Sequence, residues 1–119
     1  MEIKKISTEE LKNKLDRGDN FKLVMTFKEW AFKAKHIPGS INIYSEKSIA
    51  GLVEPSDEIV VYCVHENCQA SITAYRILEH HGFQNVRRYA GGLETWEAAG
   101  YPLEGNDADR PINVDSRRA

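Results

Sequence analysis

The stretch from Glu58 to Tyr62 is almost entirely apolar, and it constrains the fold more than any other part of the sequence. A strand that meets solvent on one face alternates apolar and polar side chains, but EIVVY does not alternate, so both of its faces must be covered. A helical pattern follows closely, because apolar residues recur at helical spacing from Gln69 to His81 and Gly82 is a natural stop. A buried strand that leads into a helix is typical of an α/β domain with a mostly parallel sheet.

The rest of the chain continues this alternation of strands and helices. Ser7 and Glu10 form a capping-box pattern that begins a helix, and Gly18 ends it. Short apolar runs predict further strands at 21–27, 40–43 and 86–89, and short helices are expected at 28–35 and 93–99. We therefore expect an α/β fold of three layers, in which a mostly parallel central sheet of about five strands has helices on both faces.

Length and composition indicate one ordinary globular domain. The chain has 119 residues, a net charge of -2 and a 41% share of hydrophobic residues. We predict a single domain over residues 1–104 and a polar tail over residues 105–119, in which Ile112 and Val114 are the expected docking points.

Charge and hydropathy disfavour nucleic acid and membranes as partners. The pairs Arg87-Arg88 and Arg117-Arg118 are isolated, which favours a solvated surface over a nucleic-acid interface. No segment approaches the roughly 18 apolar residues of a membrane span, and MEIKKISTEELK lacks the apolar core of a signal peptide. We therefore expect a cytoplasmic protein.

Cys63 and Cys68 are the only cysteines, and in a reducing compartment such a pair is typically catalytic, redox-active or metal-binding. Cys63 follows the buried strand directly, at the edge of the sheet where α/β domains bind ligands. Backbone N–H groups and the dipole of the next helix stabilise a thiolate there, which makes Cys63 the candidate nucleophile. The same amides can hold an oxyanion or a sulfur adduct, so acyl, phosphoryl and sulfur transfer all remain open. The alternative is a buried cysteine that acts as a small hydrophobe.

Four segments occur in the order and spacing of a rhodanese domain, which the chain resembles from about Ile3 to Leu103. They are HIPGSINI (36–43), IVVYC (59–63), HGF (81–83) and YAGGLETWEAAGYP (89–102). The resemblance implies a rhodanese-like fold in which the cysteine that matches Cys63 accepts sulfane sulfur as a persulfide and passes it to a thiol or other thiophilic acceptor. It implies a sulfurtransferase without a cofactor or metal, whose partners are a small-molecule or protein sulfur donor and a thiol acceptor.

The same resemblance implies that the loop after the catalytic cysteine binds the substrate and surrounds the persulfide with its amides. The candidate substrate-binding residues are Val64, His65, Glu66, Asn67, Cys68 and Gln69. Three other features are interpreted as scaffold: His36 as a structural hydrogen-bonding residue, Gly91-Gly92 as a tight turn near the pocket, and Trp96 as an apolar anchor of the last helix.

The sequence departs from the commonest rhodanese pattern at the end of the first strand. Met25, Thr26 and Phe27 stand where many rhodaneses carry Asp-x-Arg, so the charged pair is absent. Whatever that pair contributes in other members must be absent here or supplied differently.

The loop after the catalytic cysteine departs as well, because it is longer and contains Glu66 but no Lys or Arg before Ser71. A dianion such as thiosulfate would meet only backbone amides and the helix end, so we expect low-molecular-weight or protein persulfides to be better donors. Arsenate reductases and related phosphatases on this fold end their longer loop in an arginine that grips the anion. Cys68 or Gln69 stands at that position here, which disfavours phosphate and arsenate chemistry.

Cys68 has three interpretations. It is inert, or it attacks a persulfide or sulfenic acid on Cys63 to form a disulfide, or it shares a metal with Cys63 and His65. A disulfide needs the two Cα atoms within about 7 Å. Structural zinc needs four ligands, and the sequence contains no second cluster that would complete such a set.

The alternative to an enzyme is a rhodanese-like binding or redox-sensing module with weak turnover that uses the Cys63/Cys68 pair.

Overall fold

A computed structural model of the chain describes residues 3–43 and 53–108. Within these ranges the strands are β1 (Lys22–Met25), β2 (Ile41–Asn42), β3 (Ile59–Tyr62) and β4 (Val86–Tyr89). The helices are α1 (Thr8–Arg17), α2 (Glu29–Ala34), α3 (Gln69–His80) and α4 (Gly92–Ala98). The strands lie in the order β2-β1-β3-β4 and all pairs are parallel, so the predicted α/β fold is confirmed.

The described sheet has four strands rather than the expected five or so. Beside β4, Ile6 N donates to Arg88 O at 3.1 Å and Arg88 N donates to Lys4 O at 2.8 Å, which makes a single parallel bridge and not a strand. The pairing stops there because Ser7 already caps α1, with its hydroxyl accepting a hydrogen bond from Glu10 N. The predicted start of this helix is therefore confirmed, and it cuts short what would be an edge strand.

The sheet is the middle layer of three, as predicted. Val60 and Tyr62 of β3 belong to a core cluster that includes residues of α1, α2 and α4. Ile59 and Val61, which point to the opposite face, belong to a second cluster with residues of α3. All four residues of β3 are buried, which explains the unbroken apolar run in the sequence.

The chain after α4 returns to α2. Glu104 pairs with His36 in an antiparallel bridge, and the N–H groups of Asn106 and Asp107 donate to carbonyls of Lys33 and Ala34. The predicted docking points at residues 112 and 114 lie outside the described residues, and the domain boundary at residue 104 stays a prediction. In the described part of the chain, no helix is both long enough and apolar enough to cross a bilayer.

Candidate active site

Cys63 lies directly after β3, at the carboxyl edge of the sheet, and only 1% of its surface is exposed. Tyr62 is level with Met25 of β1 and Tyr89 of β4, so the ends of the two neighbouring strands flank the cysteine. A loop then leads to Cys68, the residue before α3. This is the place at which doubly covered parallel sheets bind ligands.

The turn at residues 36–40 is attached to the strand that precedes the cysteine. The hydroxyl of Tyr62 accepts a hydrogen bond from Ile37 N at 3.0 Å and lies 2.8 Å from Ser40 Oγ. Burial raises the pKa of Tyr62, so its hydroxyl stays neutral and keeps the proton that it shares in this network. The HIPG segment thus fixes the end of β3 from the α2 side of the sheet.

His36 has structural contacts in this turn. Its Nδ1 lies 2.7 Å from the carbonyl oxygen of Phe32, which can only accept, so Nδ1 carries the proton. The imidazole also stacks on the Phe32 ring with centroids 4.0 Å apart, and its Nε2 lies 3.5 Å from a carboxylate oxygen of Glu104. These contacts agree with the interpretation of His36 as a structural hydrogen-bonding residue.

The Gly91-Gly92 turn contacts the backbone of Cys63 and of the loop that follows it. Gly92 has a φ of 65°, and a Cβ on it would lie 2.6 Å from the carbonyl oxygen of Cys63, so only glycine fits. The two residues that follow donate hydrogen bonds to the loop: Leu93 N to Cys63 O at 3.0 Å and Glu94 N to Val64 O at 2.9 Å. The predicted tight turn is therefore in direct contact with the candidate nucleophile.

These bonds orient the amides of the loop. In a planar trans peptide the N–H points away from the C=O, so the N–H groups of Val64 and His65 point away from α4, which binds the carbonyls of Cys63 and Val64. In residues 3–43 and 53–108, the N–H groups of Val64, His65, Glu66 and Asn67 have no hydrogen-bond acceptor. They are therefore available to a ligand or to water.

The start of α3 adds to the positive potential of the loop. Cys68 is the N-cap residue but makes no side-chain capping bond, and the first turn contains no acidic residue. The first N–H groups of a helix have no partner within the helix, and the helix dipole is positive at this end. Together with the loop amides, this end of α3 can stabilise a negative charge on sulfur.

Arg88 supplies a cation that the loop itself lacks. Only 5% of its surface is exposed, its Nε donates to Ser71 Oγ at 2.8 Å, and its Nη2 donates to the carbonyl oxygen of Glu66 at 2.7 Å. The expectation of a solvated arginine pair is therefore wrong for Arg88, although the neighbouring Arg87 does pair with the exposed carboxylate of Glu10. Consecutive strand residues point to opposite faces, and Arg88, which is level with Val61, faces α3.

Sequence reasoning missed Arg88, although one signal pointed towards it. Ser71 lies at helical spacing from the buried apolar residues Tyr75 and Leu78, which places its hydroxyl on the buried face of α3. A buried hydroxyl needs a hydrogen-bond partner, and a polar residue on the facing strand was the natural candidate. The other predicted pair, at 117 and 118, lies outside the described residues.

Cys63 and Cys68 form a disulfide, with their Cα atoms 6.2 Å apart. The structure therefore represents the oxidised state of the loop, in which neither cysteine is a free thiol. Cys63 is buried and Cys68 is partly exposed. Of the three interpretations of Cys68, the disulfide with Cys63 has the Cα separation that it needs, below about 7 Å. In the part of the chain that the structure describes, no three His, Cys, Asp or Glu side chains are grouped as a metal site would require.

The predicted substrate-binding residues form one continuous segment between β3 and the first turn of α3. Val64 is partly buried and packs against the core cluster of α1, α2 and α4. The other side chains at the mouth of the loop are exposed: His65, Glu66, Asn67 and Gln69. Their contact with a substrate stays a prediction.

The segment in place of Asp-x-Arg is held by uncharged hydrogen bonds. The N–H and the hydroxyl of Thr26 both donate to Tyr62 O, at 2.9 and 3.1 Å. Asn42 Nδ2 donates to the carbonyls of Met25 and Phe27. The Phe27 ring then meets Trp30 edge-on at 6.0 Å, and Trp30 is 67% exposed, so aromatic surface replaces the charged pair beside the site.

Comparison with known proteins agrees with this geometry. The chain is 37% identical over 54 residues to the thiosulfate sulfurtransferase GlpE of Actinobacillus succinogenes. The matched segment covers 45% of this chain and 47% of that protein. The chain therefore spans about half the length of this curated relative in the matched region. The crystal structure of the BH2092 protein of Bacillus halodurans is similar with a TM-score of 0.82 at 21% identity, covering 97% of this chain and 88% of the other.

A second similar structure is described as a rhodanese-like domain. The solution structure of the rhodanese-like domain of the Alr3790 protein of Anabaena sp. matches with a TM-score of 0.78 at 28% identity, covering 92% of this chain and 84% of the other. The family model of the rhodanese-like domain matches residues 7–99, a range that contains the whole sheet, the loop from Cys63 to Cys68 and the glycine turn behind it. The chain belongs to the rhodanese-like domain family.

Proposed function

We propose that the protein is a sulfurtransferase that carries sulfane sulfur as a persulfide on Cys63 and passes it to a thiol or other thiophilic acceptor. The observation that carries this proposal is the position of Cys63 at the carboxyl end of β3, inside a loop whose four N–H groups have no acceptor among the described residues. Membership of the rhodanese-like family and the similarity to a thiosulfate sulfurtransferase support the same chemistry.

The reaction begins with reduced Cys63. Its thiolate attacks the sulfane sulfur of the donor, a new S–S bond forms at Cys63 Sγ, and the donor leaves as a thiolate, or as sulfite when thiosulfate is the donor. The persulfide on Cys63 is anionic, and the N–H groups of residues 64–67 and the first turn of α3 stabilise its charge. An acceptor thiolate then attacks the outer sulfur, takes it as a persulfide, and restores the Cys63 thiolate.

Charge around the loop favours persulfide donors over thiosulfate. The loop contains no Lys or Arg. The Nε and Nη2 groups of Arg88 are already engaged by Ser71 and by the carbonyl of Glu66, below the loop rather than at its mouth. A dianion would therefore lose water without gaining a direct cationic partner, whereas a low-molecular-weight or protein persulfide loses less.

Steady-state transfer from both classes of donor to one acceptor tests this preference. We expect a higher kcat/KM for a low-molecular-weight persulfide such as glutathione persulfide than for thiosulfate. A higher kcat/KM for thiosulfate would overturn the proposed preference.

The residues proposed to contact the donor are those of the loop and the helix start, from Val64 to Gln69.

Loading with sulfur tests the carrier role itself. The protein is reduced, freed of reductant and incubated with a sulfane donor without an acceptor, and its intact mass is then measured. We expect a gain of one sulfur atom in the Cys68→Ser variant and no gain in Cys63→Ser. If Cys63 takes up no sulfur, the protein is instead a rhodanese-like binding or redox-sensing module, which the Cys63–Cys68 disulfide would suit.

The expected setting is a reducing compartment, because Cys63 must be a free thiol to accept sulfur. We therefore propose a cytoplasmic protein whose partners are a small-molecule or protein sulfur donor and a thiol acceptor.

A further inference from the structure

We propose that Cys68 resolves the persulfide on Cys63, so that the protein releases hydrogen sulfide and forms the loop disulfide. This inference rests on the proposed persulfide at Cys63 and adds a second fate for its sulfur. The sulfur leaves either as a persulfide on an external acceptor or, when none is bound, as sulfide.

The geometry places the two sulfur atoms within bonding reach. Cys63 and Cys68 are five positions apart, their Cα atoms are 6.2 Å apart, and the side chains form a disulfide in this fold. An attacking thiol held so close has a high effective concentration, so it competes with dissolved thiols at cellular concentrations of the order of millimolar.

The loop that brings the cysteines together is attached to the rest of the fold. The carbonyls of Cys63 and Val64 accept hydrogen bonds from the first residues of α4, and the carbonyl of Glu66 accepts one from Arg88. Cys68 N donates to His65 O at 3.1 Å, which turns the chain back towards β3. The short separation of the cysteines is therefore a product of several fixed contacts.

The side chain of Cys68 has no competing structural task at the start of α3. Cys68 occupies the N-cap position, where Ser, Thr, Asp and Asn are preferred because their oxygen atoms accept hydrogen bonds from the first turn. Its own side chain makes no such bond. The thiol therefore contributes through its sulfur chemistry and not through capping, and Cys68→Ser should leave the helix intact.

The step balances without a further oxidant. The Cys68 thiol gives its proton to the outer sulfur of the Cys63 persulfide, and its sulfur attacks Cys63 Sγ. The Sγ–Sγ bond forms, the bond from Cys63 Sγ to the outer sulfur breaks, and the outer sulfur leaves as hydrosulfide. The two cysteines are oxidised to the disulfide, and the sulfane sulfur is reduced to sulfide.

The exposure of the two cysteines determines how external thiols reduce the loop disulfide. Cys63 is 1% exposed, whereas Cys68 is partly exposed, so the proposed point of attack by an external thiolate is the disulfide sulfur of Cys68, the more exposed residue. The bond then breaks towards Cys63, whose departing thiolate is stabilised by the loop amides, and a thiol with a stabilised anion leaves faster. A second thiol releases the adduct from Cys68. Over the cycle, one donor persulfide and two thiols give one donor thiol, one hydrogen sulfide and one external disulfide.

A single-turnover experiment tests the release. Reduced protein is loaded with glutathione persulfide without oxygen, donor is removed by rapid desalting, and sulfide and intact mass are followed in the absence of thiol. In the wild type we expect one sulfide per protein, while the mass falls from one sulfur atom above the reduced protein to two hydrogens below it. Cys68→Ser should hold the added sulfur and release no sulfide. Thr73→Ser, which changes an exposed residue of the same helix, should behave as the wild type.

The outcomes separate this inference from the function on which it rests. If the wild type and Cys68→Ser both take up sulfur and both hold it, the inference is wrong and the carrier role stands. Equal rates of sulfide release by the two proteins would also overturn it. If neither protein takes up sulfur, the carrier role of Cys63 fails, and the inference fails with it.

Discussion

Gly92→Ala should destabilise the protein by about 3–4 kcal/mol, because the residue both adopts a left-handed conformation and touches the candidate nucleophile. A left-handed conformation costs a non-glycine residue roughly 1–2 kcal/mol. The new Cβ would also lie 2.6 Å from Cys63 O and 2.9 Å from the carbonyl carbon and oxygen of Val64. The loop must move away, which weakens the bonds from Leu93 N and Glu94 N, each worth about 1 kcal/mol.

Gly100→Ala is the matched control. Gly100 also has a positive φ, of 81°, but a Cβ on it meets no described atom within 4 Å. This variant should lose only the conformational contribution of roughly 1–2 kcal/mol. The difference between the two variants, about 2 kcal/mol, isolates the contact between the glycine turn and the loop of Cys63.

Urea unfolding of the reduced proteins measures both losses by linear extrapolation. The rate at which iodoacetamide alkylates Cys63 in the folded state provides a second readout, because a displaced loop changes the surroundings of its sulfur. We expect a changed rate in Gly92→Ala and an unchanged rate in Gly100→Ala. Equal losses of stability in the two variants, with equal alkylation rates, would refute the argument that Gly92 positions the loop.

Substitutions at three further residues test the supports of the site. Tyr62→Phe leaves the buried N–H of Ile37 without its acceptor. This change should lower the free energy of unfolding by about 1–3 kcal/mol, as measured by urea unfolding at neutral pH. Because burial raises the pKa of Tyr62, the unfolded state ionises first: the stability from its neutral hydroxyl is fully present below the ordinary pKa of 10.0 and is lost as the pH rises above it. The stability of Tyr62→Phe should therefore fall less steeply above this pH than that of the wild type. An equally steep fall would show that the loss of stability at high pH does not come from Tyr62. Arg88→Met removes both guanidinium hydrogen bonds and the charge under the loop, so the reduced protein should lose about 2–3 kcal/mol of stability in urea, and Cys63 should be alkylated more slowly at neutral pH. Arg88→Lys should restore part of the alkylation rate, and an unchanged rate in Arg88→Met would show that the charge does not act on the thiol. Trp96→Phe removes a buried indole whose N–H donates to a backbone carbonyl, so we expect a loss of about 2 kcal/mol and an unchanged KM for the sulfur donor. A raised KM without a loss of stability would make Trp96 a substrate contact.

The order of the elements was predictable because it depends on signals within each segment. The apolar run before Cys63 indicates a strand covered on both faces, and Ser7 with Glu10 indicates the start of α1, as the structure confirms. The carboxyl edge of a parallel sheet then follows from topology, which places Cys63 there without knowledge of any contact. The ends of strands were less predictable: β1 ends at Met25, two residues earlier than the apolar run, because Thr26 and Asn42 take over the hydrogen bonding.

The supports of the loop were not predictable, because each joins residues far apart in the chain. Arg88 reaches the carbonyl of Glu66 across 22 positions, and it points to α3 rather than to solvent only because of the register of β4 against β3. Two adjacent arginines give no indication of which one is buried until that register is known. The separation of Cys63 and Cys68 depends on the same contacts, since the bonds from Arg88 and from α4 set how tightly the loop is wound. A pair of cysteines five positions apart therefore allows sulfide release but does not imply it, and a loop moved to a fold without these supports should lose the reaction.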